Sequence, residues 1–177
     1  MKGSVRMAVI NVTALTDITG LIASDRVSPG DVLLLEDGLY FQTVNITKDN
    51  IRIIAKGKNA VFYGMGILFN AFILSDVTGV EINGITIPNY SISGILIDFG
   101  SGNRIVNNKI YIENTVKNCY GDGFHSFREQ DSDNVFVGNT AIGNRGYGMS
   151  IQGTNTLLLN NTLIGNGSGG IIIGKGR

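Results

Sequence analysis

Apolar residues in this chain come in short runs that recur at a constant phase. The segments RIVNNKIY (104 to 111), VFVGNTAI (135 to 142) and LLLNNTLI (157 to 164) each show an apolar strand, then Asn108, Asn139 or Asn161, then a second short apolar strand. VEINGITI (80 to 87) fits the same frame with Gly84 at the asparagine position. A second register is GILID at 94, GFHSF at 123, GMSIQ at 148 and GIIIG at 170, with glycine steps of 29, 25 and 22 residues. Each unit therefore reads as three short strands rich in Ile, Val and Leu, separated by Asn and Gly turns, with no helical period inside the repeat.

Such a unit cannot bury its apolar side chains alone, so coils must stack until neighbours close a common interior. Three strands per turn with parallel neighbours predict a parallel β-helix, an all-β solenoid in which each coil rises by about one strand spacing, ~4.8 Å. Asparagine tolerates the left-handed turn conformation and can bond to the backbone or to the same residue one coil away. Asn108, Asn139 and Asn161 are thus expected to form one ladder, and Asn144 and Asn166 a second. An antiparallel sandwich with Asn and Gly at its hairpins would not need the same residue at the same phase of successive units.

The amino-terminal part fits the same object. TALTDITGLIASDRVS (13 to 28) places Leu15, Ile18, Leu21 and Ile22 at near-helical spacing, which predicts a short N-terminal capping helix over the open first coil. PGDVLLLEDGLYFQTVNIT (29 to 47) and DNIRIIAKGKNAVFYG (49 to 64) then supply the first strands, so residues 1 to 177 read as one domain, with the cap at about 13 to 28 and coils from about 29 onward. The sequence closes on GGIIIGKGR without an amphipathic cap. That predicts a last coil covered by another copy, as a homo-oligomer, or continued as part of a longer chain.

Composition narrows the partners. Lys plus Arg equals Asp plus Glu at 14 each, so the basic footprint that nucleic acid requires is missing. No convincing signal peptide is seen, and VFYGMGILFNAFIL (61 to 74) is too short and too broken by glycines to span a membrane, so a soluble protein is expected. Cys119 is the single cysteine and reads as a small buried filler rather than a nucleophile.

PGDVLLLEDGLY followed by IRIIAKGKNAVFYG resembles the entry coils of the pectate-lyase-like superfamily, and the later units resemble the short repeats of right-handed parallel β-helix carbohydrate proteins. The likeness runs from about residue 29 to the end and implies a right-handed helix. The stretch 118 to 153 is similar in layout to alginate C5-epimerases, which carry an aspartate, proline, histidine, glutamate motif on the corresponding strand. This chain has Asp122 and His125 there but Gly123 and Phe124 between them, and Ser126 follows.

The chemistry gathers around GDGFHSFREQDSD (121 to 133), which holds the only histidine. Strand alternation puts Ile95 and Ile97 inside and Leu96 and Asp98 outside; in the same phase Phe124 lies inside and His125 and Phe127 outside, and Ser150 and Gln152 face out on the next coil. Asp98, His125 and Ser150 or Gln152 are therefore expected in one exposed strip, flanked by the longer loops 112 to 121 and 128 to 133. Abstracting the C5 proton of a uronate needs a base, a cation to neutralise the carboxylate, and an acid for the leaving oxygen or the opposite face. His125 could be base or acid, Asp98 its orienting group, Arg128 or Lys117 the carboxylate partner, and Tyr120 or Tyr147 the second proton carrier. Asp122, Glu129 and Gln152 complete a substrate-binding set. A hydrolase would instead want two carboxylates, from Asp98, Asp122, Glu129 and Asp131, and the acids could bind Ca²⁺ through oxygen ligands. The plain alternative is a surface histidine beside a solvated REQDSD turn.

Two functions from different classes follow. One is a carbohydrate-interacting β-helix that binds an acidic polysaccharide and acts as a lyase or epimerase. The other is a non-catalytic structural or binding solenoid that associates through its uncapped last coil.

Overall fold

The computed structural model describes residues 7–111 and 121–174. Strand β1 (Val9–Val12) leads into helix α1 (Ile18–Ala23). The coils then run β2 (Val32–Leu35), β3 (Gly38–Tyr40), β4 (Val44–Ile46), followed by β5 (Arg52–Ala55), β6 (Ala60–Phe62), β7 (Asn70–Ser75). Next come β8 (Glu81–Asn83), β9 (Thr86–Pro88), β10 (Ser93–Asp98), then β11 (Arg104–Val106), β12 (Lys109–Tyr111), β13 (Asp122–Ser126). The last two coils are β14 (Val135–Val137), β15 (Thr140–Ile142), β16 (Tyr147–Ile151), and β17 (Leu157–Leu159), β18 (Thr162–Ile164), β19 (Gly169–Ile173).

Each strand pairs in parallel with its counterpart one coil away, which gives one 7-stranded and two 6-stranded sheets around a shared interior. Like residues lie over like. Leu33, Ile53, Ile82, Ile105 and Phe136 form one inward row, all fully buried. Val44, Phe72, Ile95, Phe124 and Met149 form a second on another sheet. Burying each such side chain contributes about 1.5–3 kcal/mol, so a coil gains its stability only by stacking. Between coils, Asn108 N–H donates to Asn139 Oδ1 (3.0 Å) and Asn139 N–H to Asn161 Oδ1 (2.9 Å). At other corners Asn103 N–H donates to Asn134 Oδ1 and Asn144 N–H to Asn166 Oδ1. These side chains satisfy turn amides that no strand can reach.

Three local readings need correction. Gly84 does not stand where the asparagines do: the register places it over Asn107, and both take positive φ, while Ile85 N–H donates to Asn108 Oδ1. Left-handed geometry before the asparagine, rather than the asparagine itself, is what Gly84 supplies. Leu15 is 97% exposed and lies outside α1, whose N-cap is Asp17; only Ile18, Leu21 and Ile22 bury. The chain also lays down a strand before its helix, β1, pinned to β2 by the Asp31 carboxylate that accepts from Ala8 N–H. No helix among the described residues is long and apolar enough to cross a membrane.

The repeating glycines have a steric cause. A Cβ on Gly123 would meet Gly148 O at 2.7 Å and Ala141 Cβ at 2.9 Å, and one on Gly94 would strike Ile110. Each glycine thus faces the interior at the start of its strand. So does the residue after it, because Ile95 and Phe124 are fully buried. Strict alternation breaks there, and Ser93 and Asp122, one residue earlier, fall on the outer side with Leu96 and His125.

Candidate functional site

That change of phase builds the site on the outer face of the sheet containing β10, β13 and β16. Along it, Ser93 pairs with Asp122, and Leu96 with His125 and then Ser150. The imidazole is therefore flanked by Leu96 and Ser150. Asp98, expected beside it, lies in a different row, whose partner on β7 is Ser75. The carboxylate that faces His125 is Asp122, with Oδ2 3.4 Å from Nδ1 and side chains 16% and 21% exposed. Asp122 is itself held, since its Oδ1 accepts from Tyr147 N–H at 2.6 Å. A carboxylate against Nδ1 favours the proton there, which leaves Nε2 as the basic nitrogen. Burial holds the His125 pKa below the ordinary histidine value, against the upward pull of the Asp122 and Asp131 carboxylates. The ring is neutral at pH 7, as a proton acceptor must be.

Arg128 stands at the next corner. Its Nε donates to Asp98 Oδ1 at 2.8 Å, and its guanidinium lies 4.4 Å from the Phe127 ring centroid and 4.9 Å from that of Phe99. Phe127 also meets the imidazole edge-on at 5.4 Å. Asp98 thus orients Arg128, not His125.

Asp131 is not a solvated turn residue. It is fully buried, and it accepts from Gly100 N–H (2.9 Å), Arg128 N–H (2.9 Å) and Ser126 Oγ–H (3.0 Å). The sequence REQDSD is folded around this one carboxylate, which fixes the corner that carries Arg128. Among the described residues no three His, Cys, Asp or Glu gather as a metal site; the acids nearest His125 are engaged with Arg128, with the imidazole, or with turn amides.

Two recesses open on this face. One, about 240 Å³, is lined by Ile92, Ser93, Leu96, Asp98, His125 and Phe127. The other, about 430 Å³, is lined by Phe127, Arg128, Glu129, Gln130 and Gln152. Phe127 is common to both. Of the residues singled out from sequence, His125, Asp98, Arg128, Glu129 and Gln152 border this pair of recesses, while Asp122 and Tyr147 support the imidazole from the neighbouring row. Tyr120, Lys117 and Cys119 lie outside the described residues. Sequence reasoning missed Ser93 and Ile92; the signal was the residue before each repeated glycine, which reads Ser93, Asp122 and Tyr147 on successive coils.

The family model described as right handed beta helix region matches residues 36–177. The chain belongs to this family. The parallel β-helix expected from the repeats, with the right hand that the resemblance implies, is the fold of the molecule. A similar solved structure is the alginate lyase from Paenibacillus sp. str. FPU-7, with a TM-score of 0.54 at 14% identity, covering 89% of this chain and 76% of that one. At that identity the likeness speaks for the right-handed β-helix fold alone. No curated protein sequence matches the chain.

Proposed function

We propose that this β-helix binds an acidic, uronate-containing polysaccharide across the outer face of β10, β13 and β16, and acts on it by abstracting the proton at C5. The observation that carries this reading is the contact of Asp122 with His125 Nδ1, which leaves a neutral Nε2 at the wall of a recess, one corner away from an arginine. His125 Nε2 takes the proton. The Arg128 guanidinium, with its Nε on Asp98, has its remaining N–H groups to receive the uronate carboxylate and stabilise the charge that develops there. Tyr147, in the row of Asp122, is the described candidate for returning a proton to the leaving oxygen or to the opposite face. Expulsion of that oxygen gives a lyase product with a double bond; return of a proton gives epimerisation.

The test is turnover on a panel of uronate polymers, followed by ultraviolet absorbance of the unsaturated product and by NMR for C5 inversion. Wild type should act on at least one polymer, and His125→Ala should lose about 10²–10⁴-fold in rate. A wild type inert by both readouts on every polymer would end the catalytic reading.

One observation favours a second, non-catalytic reading. On the last coil Leu157, Leu159, Ile164, Ile171, Ile172 and Ile173 are all exposed, an apolar edge that parallel strand addition would cover. A solenoid that assembles through this edge would form dimers or larger species in light scattering at micromolar concentration.

A further inference from the structure

Within the face just described, a bare uronate set over His125 leaves part of the smaller recess unfilled. Ile92, Leu96 and Phe127 give it three apolar walls. A uronate carboxylate is unwelcome there, because the Asp98 carboxylate borders the same space; its place is at the remaining Arg128 N–H groups, one corner away. A ring rich in hydroxyls would leave most of them without partners. Besides His125 Nε2, which takes the C5 proton, the recess offers one unspent donor. Ser93 is 2% exposed, and its Oγ has no hydrogen-bond partner among the described residues. A buried hydroxyl left unpaired is costly to keep, and a ligand that accepts from it recovers that cost.

We propose that this recess recognises an acyl ester, an O-acetyl group on the uronate polymer. The acetyl methyl packs on Leu96, Ile92 and Phe127, and the ester carbonyl accepts from Ser93 Oγ–H. One acceptor beside one methyl group is the complement of one donor among apolar walls. The inference rests on the proposed polyuronate reading and sharpens it: the preferred substrate is O-acetylated, and Ser93 determines that preference.

The experiment is calorimetric titration of the full chain with three oligosaccharides of matched length: an O-acetylated uronate oligomer, the same oligomer after alkaline deacetylation, and an acetylated neutral xylo-oligosaccharide. Recovery of one hydrogen bond and burial of one methyl correspond to roughly ten- to hundredfold in Kd, so wild type should bind the acetylated uronate that much more tightly than its deacetylated form. Ser93→Ala should bring the two constants together while the protein keeps its melting temperature. Equal binding of both uronates by wild type overturns the acyl recess and leaves the polyuronate reading standing, and a preference that survives in Ser93→Ala also overturns it. Binding of the neutral acetylated oligomer as tightly as the acetylated uronate supports the recess and overturns the polyuronate reading. Binding of none of the three overturns both.

Discussion

Replacing Asp131 by alanine isolates the group that holds the corner of the site together. Its carboxylate is fully buried and receives Gly100 N–H, Arg128 N–H and Ser126 Oγ–H. In the alanine variant Ser126 Oγ can still donate to Gln152 O at 3.1 Å, so the net loss falls on the two backbone donors. Each buried donor without a partner costs about 1–3 kcal/mol, more where the lost acceptor was charged, which sums to roughly 3–5 kcal/mol. For a chain of this size that is about 6–20 °C in Tm. Asp131→Asn keeps one acceptor oxygen and should fall between, at about 2 kcal/mol. Urea unfolding followed by circular dichroism measures both. Because Arg128 N–H is one of the donors, turnover should fall in the alanine variant even at temperatures where it is folded. If Asp131→Ala unfolds within about 1 kcal/mol of wild type, the carboxylate does not carry the corner, and the positioning of Arg128 must be argued from other contacts.

Other consequences can be checked separately. Asn139→Ala should cost about 2–4 kcal/mol, because it strands the Asn108 N–H that Oδ1 receives and the Ile105 O that Nδ2 satisfies at 2.8 Å; the same unfolding assay reads it. Gly123→Ala should destabilise by about 1–3 kcal/mol through collision with Gly148 O and Ala141, measured as a lower urea midpoint. Because the folded His125 pKa lies below its unfolded value, the unfolded chain binds the proton first as pH falls. The stability contribution is whole above about pH 6.5 and is lost as pH drops through the folded pKa. In calorimetric scans His125→Gln should lack the part of the decline that sets in below about pH 6.5. Arg128→Lys should keep the charge but weaken uronate binding about tenfold or more, since an ammonium cannot reproduce the planar fork stacked on Phe99 and Phe127.

The β-helix was legible because stacking forces residues at one phase to resemble one another, as Ile53, Ile82 and Ile105 do, and because Asn recurs where turn amides need an acceptor. Short-range details were less legible. Alternation counted from Gly94 and Gly123 predicted the outward positions of Leu96 and His125, yet it could not show that the glycines themselves turn inward and send Ser93 and Asp122 out to the groove. Counting by alternation therefore points to Asp98, a row away, as the partner of the histidine, whereas the partner stands three residues upstream at Asp122. Asp131 illustrates a further limit. A carboxylate in a charged, polar hexapeptide reads as solvated, and only the folded loop, closing around it, makes it buried. The orientation of Arg128 by Asp98 depends on that same corner and was equally out of reach.

His125 is the sole histidine, so its ring protons give a single unambiguous NMR titration, and this measurement bears most directly on a neutral, carboxylate-held imidazole in the proposed uronate-binding face. Without ligand, the ring should titrate below about 6.5, and a uronate oligosaccharide should shift its resonances and its midpoint while a neutral oligosaccharide of equal length that carries no ester should not. A ring that titrates like a free histidine and ignores both sugars would contradict the assignment of this face as the site.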